Sequence, residues 1–545
     1  MDPQLAGASP GPARVPGNHW IGLKVPTVGS WTPTEPLSVV IPHYEAPAAL
    51  RLTLEALAGQ TYPAHLVQVL VIDDGSDRAP CLPASLGLNA TVIVQERRGF
   101  GLARARNLGA AHADGTIVVF LDCDMVPEPC HLEAHARWHH VASDAVTIGF
   151  RIHVMVDHIE PEQVRRAAAR GGLEPLFAHA AQYTPEYVEF HMERTADLSS
   201  DADDLFRLVT GGNLGIRKET FAAVGGYDGT FDQWGGEDTE FGYRLFTYGC
   251  PFVPERLALC WHQGMPGYLD EVKQRSLHEQ RARLAHLIPH PGFRRSLPGR
   301  SFARPRLVVT VKVESHAAVN VAATVESVLA NTFHDLAVCL DIPGDHPDRR
   351  WLARQFGEDP RVHVGEGVDA LQRFAASPLH LRLPPVVTVA PDGLENIVKR
   401  LENPAQPIGL LHLTLPGTSP EHALGKAFRT RAWLRALRLA DGDVEPVIGE
   451  LFGEQWVPGP QYGFQALAQV KAEQAAPLPP EPLMPVAATP DLAAIQRFVR
   501  ELDPGQRALL LQIANRGLRL RESLKALRRA RTWSQLQWSV RGVFV

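Results

Sequence analysis

Residues 37–76, LSVVIPHYEAPAALRLTLEALAGQTYPAHLVQVLVIDDGS, decide the fold. LSVVIPHY is a short β-rich run ending at Pro42, ALRLTLEALAGQ carries apolar residues at helical spacing and stops near Gly59, and VQVLVIDDGS is a second strand running into a turn. A strand, a helix and a strand within about 40 residues make the βαβ unit of a mostly parallel α/β sheet.

Two more units follow, TVIVQE with LARARNLGAAHA and then TIVVFLDCD. Acidic residues and turns cluster after the strand ends, where open α/β sheets bind ligands. The stretch from Phe150 to about Leu208, rich in His, Glu and Asp, reads as a cover or acceptor-binding insertion. RLVTGGNLGIRK and ETFAAVGGYDGTF lead into WGGEDTEFGYRLFTYG, where Asp238 to Tyr248 is expected to be a helix closed by Gly249.

Within this frame several side chains can do chemistry together. In FLDCDM, Asp122 and Asp124 flank Cys123 at a strand end, and paired hard oxygen ligands suit Mg²⁺ or Mn²⁺ shared with substrate phosphates. VIDDGS places Asp73 and Asp74 where a carboxylate can accept from a base N–H or a ribose hydroxyl; alone it is an ordinary Asp-Gly turn. Tyr44 and Glu45 lie just past the first strand, where an aromatic ring can stack on a base. Arg98, Arg104 and Arg106 are candidates to pair with phosphate. In WGGEDTEF, Gly235 and Gly236 allow close backbone approach, and Glu237 and Asp238 stand at a helix start. A carboxylate there is either a plain N-cap or, with burial raising its pKa, a base for an attacking hydroxyl. His262 in CWHQG can complete a metal's ligands.

At 545 residues, 45% apolar and 21% charged, the chain is expected to form two or three globular domains. Its net charge of -6 gives no reason to expect nucleic-acid binding. Six cysteines without a C-x-x-C pair argue against a disulfide framework and fit a reducing compartment. No signal-like N-terminus and no apolar run of roughly 18 residues stand out, so a cytoplasmic protein is expected.

The second half echoes the first. LVVTVKVES starts 270 positions after LSVVIPHYE, VESVLANTF echoes LEALAGQTY, PPVVTVAPDG has the shape of TIVVFLDCDM, and LGKAFRTRAWLRALR echoes NLGIRKETFAAVG. The carboxylates have mostly gone: DIPGD stands for IDDGS, and only Asp392 remains of the aspartate pair. The expected organisation is a Pro/Gly-rich arm over 1–36, a catalytic domain over 37–300, a worn copy over 301–470, a Pro-rich linker over 471–489 and a helical basic tail over 490–545. The tail carries Trp533 and Trp538 among Arg and Lys, the composition of a helix that lies on the inner face of a membrane or docks on protein.

The order SVVIPHYE, VIDDGS, GLARARNLG, FLDCDM, TGGNLGIRK and WGGEDTEFGYR resembles the GT-A fold glycosyltransferases of family 2. Its last two segments are similar to the C-terminal catalytic part of galactosyltransferases and polypeptide N-acetylgalactosaminyltransferases. The resemblance implies a nucleotide diphosphate sugar donor, commonly a UDP-sugar, and Mn²⁺ or Mg²⁺ held by Asp124 with His262. It puts Asp122 near the ribose or metal, Asp73 or Asp74 at the base and Tyr44 beside it, with Pro42, Glu45, Arg104 and Arg106 on the donor side. Asp238 becomes the base of an inverting transfer to a glycan or other hydroxyl, Glu237 orients the acceptor, and Gly212, Asn213, Trp234, Gly235 and Gly236 form the acceptor side. The tandem arrangement also resembles bacterial polysaccharide polymerases such as chondroitin synthases, but a second half without D-x-D or G-G-E-D is expected to be non-catalytic. Two other readings remain: a nucleotidyltransferase that makes sugar nucleotides, against which no Lys-containing triphosphate loop follows the first strand, and a non-catalytic scaffold of a polysaccharide assembly.

Overall fold

The computed structural model describes residues 10–265, 271–415 and 423–467. β1 (Leu37–His43) is buried along its whole length because it lies between two parallel neighbours, β2 (Val67–Asp73) and β4 (Ile117–Leu121), with helices on both faces. A strand so placed reads as a continuous apolar run, as LSVVI does. β3 (Ala90–Val94) continues the parallel set beyond β2. α1 (Pro47–Leu57) lays Leu50, Leu54 and Leu57 on one face of the sheet against Val39 and Ile41. α2 (Leu102–His112) covers the other face, and Gly109 lets it settle there, since a Cβ at that position would lie 2.2 Å from Val40.

Past β4 the sheet turns antiparallel. β8 (Asn213–Arg217) pairs with β4, β6 (Val146–Val154) with β8, β9 (Phe252–Gln263) runs parallel to β6, and β5 (Met125–Pro127) closes on β9. β7 (Gln182–Tyr183) pairs with the end of β6. The order β3-β2-β1-β4-β8-β6-β9-β5 opens a crevice where the sequence order reverses beside β1, the usual ligand position in such sheets. α3 (His131–His139), α4 (Glu186–Arg194) and α5 (Glu237–Tyr248) frame it.

The second half repeats this plan. β10 (Leu307–Lys312) lies between β11 (Leu336–Asp341) and β13 (Leu379–Leu383), with β12 (Val362–Gly365) beyond β11, β16 (Ala423–Arg429) antiparallel to β13, and then β15 (Leu410–Thr414) and β17 (Glu454–Pro458). β14 (Val387–Val389) pairs with β18 (Phe464–Ala466). Leu37 pairs with Val67 and Ile117, and Leu307 pairs with Leu336 and Leu379, so the two sheets share a register at their centres.

That register corrects one part of the repeat. The counterpart of TIVVFL is the strand LHLRL at 379–383, not PPVVTV, because the exposed Arg382 and buried His380 make the true strand look less apolar than its successor. Pro384 and Pro385 therefore stand where Asp122 and Cys123 stand, and Val386 where Asp124 does. Asp392 is not a surviving member of the pair. It occupies the N-cap position of α6 (Gly393–Leu401) as Cys130 does that of α3, and the neighbouring contacts repeat: Thr61 N donates to Pro129 O, and Thr332 N to Pro391 O.

Residues 10–36 run as a strap over the fold. Asn18 is buried and bridges Leu198 and Phe252, while Gly17 N donates to Leu451 O in the second half. α7 (Thr430–Leu439) packs on α5, so the two sheets belong to one unit. The expected linker and basic tail lie outside the described residues. Among the described residues no helix is long and apolar enough to cross a membrane, and no cysteine is paired.

Candidate functional site

The crevice is a cleft of about 920 Å³ lined from the ends of β1, β4 and β9 and the start of α5. On its β1–β2 side, Pro42, Tyr44 and Asp74 face the opening. Asp74 accepts from Gly101 N at 2.9 Å and Gln95 Nε2 at 2.6 Å, with Arg97 at 3.5 Å and Arg104 at 3.9 Å. Gly101 is required there, because a Cβ would fall 1.9 Å from the carboxylate. The Tyr44 ring is half exposed, and the Arg97 guanidinium lies 3.4 Å from its centroid.

Asp73, the other member of the pair, does not line the cleft. Its carboxylate is buried and accepts from Ser76 Oγ at 2.6 Å, with the His43 ring at 2.8 Å. Burial pushes its pKa up, and the Ser76 and His43 contacts outweigh that and hold it low. Glu45 also turns away from the cleft, accepting from Asp77 N at 2.5 Å.

Asp122 and Asp124 sit in the turn between β4 and β5, not on the strand itself, and both reach the cleft. β5 brings in the histidine: Met125 pairs with His262, Gln263 N donates to Asp124 O, and His262 Nε2 lies 3.7 Å from Asp124 Oδ2. Burial, then the charge of Asp122, pushes the Asp124 carboxyl up to about 7, while burial and Arg151 lower the His262 imidazole. Among the described residues no group of three or more His, Cys, Asp or Glu is assembled to hold a metal alone. Two carboxylates and an imidazole whose Nδ1 is buried without a partner nevertheless fit a hard or borderline divalent ion completed by substrate oxygens.

Arg106 joins this corner to the start of α5. It is buried, with Nη2 3.0 Å from Asp122 Oδ1 and Nη1 3.3 Å from Glu237 Oε1. Burial opposes its charge, but Asp122, Tyr227 and Glu237 more than offset that and raise its pKa, so it stays a cation. Gly235 and Gly236, at φ +96 and +94, take the left-handed backbone that delivers the chain to the helix. Burial raises the carboxyls of both Glu237 and Asp238; Asp238 adds to the shift of Glu237, and Arg106 opposes both. Asp238 accepts from Thr239 N at 2.7 Å, and Glu237 Oε2 has no partner. Two neighbouring carboxyls are thus both raised by burial, with one guanidinium opposing the shift.

Asn213 does not face the cleft. It is 1% exposed, and its side-chain oxygen receives the Nε2–H of His131 and of His135, while its Nδ2 donates to Phe150 O and Ala258 O. With every polar atom used inside the sheet, it ties β8 to α3, β6 and β9. Gly212 lies against the Asp122 carboxylate, where a Cβ would come within 2.2 Å. Trp234 and Gly235 line the cleft, whereas Gly236 and Arg104 do not. Arg97, Arg151, His153, Tyr183, Tyr187 and Lys273 line it without having been read from the sequence. Only the alternation of Arg151 and His153 in FRIHV hinted at two side chains on one face.

Residues 38–204 match the family described as glycosyl transferase family 2, and residues 199–256 match one described as the N-terminal domain of galactosyltransferase. The chain is 29% identical over 347 residues to the chondroitin synthase of Escherichia coli, covering 60% of this chain and 49% of that one. It is 32% identical over 278 residues to the validoxylamine A glucosyltransferase of Streptomyces hygroscopicus subsp. limoneus, covering 45% of this chain and 57% of that one. The chain thus spans about half the length of these relatives. Among solved structures, GalNAc-T7 with UDP, GalNAc and Mn²⁺ aligns at a TM-score of 0.30 and 18% identity, over 42% of this chain and 44% of that one. The two matched segments contain Asp74, Asp122, Asp124, Arg106, Glu237 and Asp238, so the side chains gathered in the cleft lie in the part of the chain that is similar to glycosyl transferase family 2 and to the galactosyltransferase domain.

Proposed function

We propose that this chain is an inverting glycosyltransferase that moves a sugar from a nucleotide diphosphate sugar, UDP-linked, to an acceptor hydroxyl, with Mn²⁺ or Mg²⁺ as cofactor. The observation that carries the reading is the meeting of Asp122, Asp124 and His262 with Arg106, Glu237 and Asp238 in one cleft at the switch point of the sheet. In this reading Asp74 and Tyr44 receive the nucleobase, and Asp122 lies by the ribose. Asp124 and His262 hold the ion, which when bound neutralises charge on the departing diphosphate. Arg106 keeps Asp122 in place and remains charged.

Asp238 takes the proton of the acceptor hydroxyl as its oxygen bonds to the anomeric carbon and the bond from that carbon to the phosphate oxygen breaks. Burial raises its pKa, which strengthens the carboxylate as a base. Glu237, beside Arg106, orients the acceptor. The acceptor is a glycan or another hydroxyl-bearing molecule, and the second sheet makes no transfer, with Pro384, Pro385 and Val386 in place of the metal-binding turn. Action at the cytoplasmic face of a membrane, reached through the basic tail, belongs to the same proposal.

A thermal-shift screen of nucleotide sugars with and without Mn²⁺ tests the donor half, since a ligand that binds only the native state must raise the melting temperature. A metal-dependent shift with UDP-sugars is expected. No shift with any nucleotide sugar in the presence of metal would remove the transferase reading.

A further inference from the structure

One wall of the cleft is aromatic and comes from the segment between β6 and β8. Tyr183 and Tyr187 line the cleft and keep 37% and 48% of their surfaces exposed. Arg151 and His153 alternate on β6 and so share a face. His153 is in register with Tyr183 on β7, their ring centroids 6.0 Å apart, and Arg151 Nη2 lies 3.2 Å from Tyr187 Oη at the foot of α4. The strip thus runs as one surface, and at its inner end the charge of Arg151 is felt by Asp238. Arg151 pairs with no carboxylate among the described residues, so its guanidinium is free to do more than steady Tyr187.

Two rings left open on the wall of a polar cleft cost hydrophobic free energy unless something flat and partly apolar covers them. A pyranose does this: one face presents C–H bonds, weakly positive, to the negative π-faces, while its hydroxyls stay at the rim for Arg151. A peptide acceptor needs backbone donors and acceptors along the wall, and this wall offers rings.

We propose that Tyr183 and Tyr187 form the acceptor subsite by stacking on a pyranose ring, with Arg151 hydrogen-bonding its substituents, so that the acceptor is a saccharide. This rests on the transferase reading, and the experiment separates the two. The full chain is titrated with Mn²⁺ and UDP, and the UDP-loaded protein is then titrated with hexasaccharides of chondroitin, hyaluronan and cellulose and with a Thr-containing peptide, followed by saturation-transfer NMR. Binding of at least one hexasaccharide through its ring C–H protons, and not of the peptide, is expected. Tyr183→Ala and Tyr187→Ala then weaken saccharide binding by roughly three- to tenfold, Tyr→Phe at either position retains it, and UDP affinity is unchanged in all four. The proposal is overturned if no hexasaccharide binds UDP-loaded protein, if the alanine variants bind as the parent does, or if phenylalanine loses as much as alanine. Absence of UDP binding in the parent chain overturns the transferase reading instead, and with it the acceptor role of the strip.

Discussion

Arg435, fully buried on α7 of the second sheet's domain, donates its Nε–H to the carbonyl of Gly249, the residue that ends α5, at 2.6 Å. The same helix sends Arg438 to Tyr248 O at 2.6 Å, and Gly249 must be glycine, since a Cβ would lie 2.6 Å from Arg431 O. The cations meet the C-terminal carbonyls of the helix whose other end carries Glu237 and Asp238, where the helix dipole favours positive charge. The worn copy of the fold thus seats the helix that bears the proposed base.

Arg435 also donates to Gly17 O, so one side chain ties strap, α5 and α7 together. Arg435→Leu leaves buried carbonyls without donors and is expected to cost about 2–4 kcal/mol in urea denaturation. Turnover should fall more than UDP affinity, because the loss is at the helix and not at the base-binding side. Unchanged stability and turnover would count against the seating role.

Gly212→Ala puts a methyl 2.2 Å from Asp122 and pushes that carboxylate from Arg106. The backbone there tolerates alanine, so folding should persist in circular dichroism. Mn²⁺ affinity, read by electron paramagnetic resonance, should weaken by roughly tenfold or more.

Asp124→Asn should abolish every sugar transfer made by the full chain. The second sheet has Pro384, Pro385 and Val386 in the corresponding turn and cannot compensate. A residual transfer with a different donor, detected by product mass spectrometry, would show that the second cleft is active after all.

The histidines of α3 make stability fall in mild acid. Burial lowers the His131 and His139 pKa values well below normal and that of His135 to about 4. A histidine depressed in the folded state binds its proton more readily when unfolded. Its contribution is therefore full above about pH 6.5 and is lost as pH falls toward the folded value. Each should cost about 1.4 kcal/mol between pH 7.5 and 5.5, together about 4 kcal/mol, measured by urea melts across that range. His131→Gln should remove about one third of that pH dependence.

Much of the site was legible because the parallel strands announce themselves. LSVVI and VQVLVID are apolar runs that stop just short of Pro42 and Asp74, which face the cleft, and WGGEDTEF carries its two left-handed glycines in plain view. What the sequence hid follows from direction and distance. Asp73 and Asp74 are neighbours, but a strand end points them to opposite sides, one to His43 and one to the cleft. Asn213 looks like a site residue beside two glycines, yet it lies within a central strand and its amide is consumed there. Tyr183 and Tyr187 reach the cleft only through the pairing of β7 with β6, a long-range contact that no local pattern marks.

The central claim is that Asp238 removes the acceptor proton in a metal-dependent transfer from a nucleotide sugar. The most direct measurement is UDP release from a UDP-sugar in the presence of Mn²⁺ and acceptor, by the parent chain and by Asp238→Asn, with UDP–Mn²⁺ affinity determined for both. Unchanged affinity with turnover reduced by roughly 10²–10⁴ is the predicted result. Equal turnover in the two proteins would contradict it.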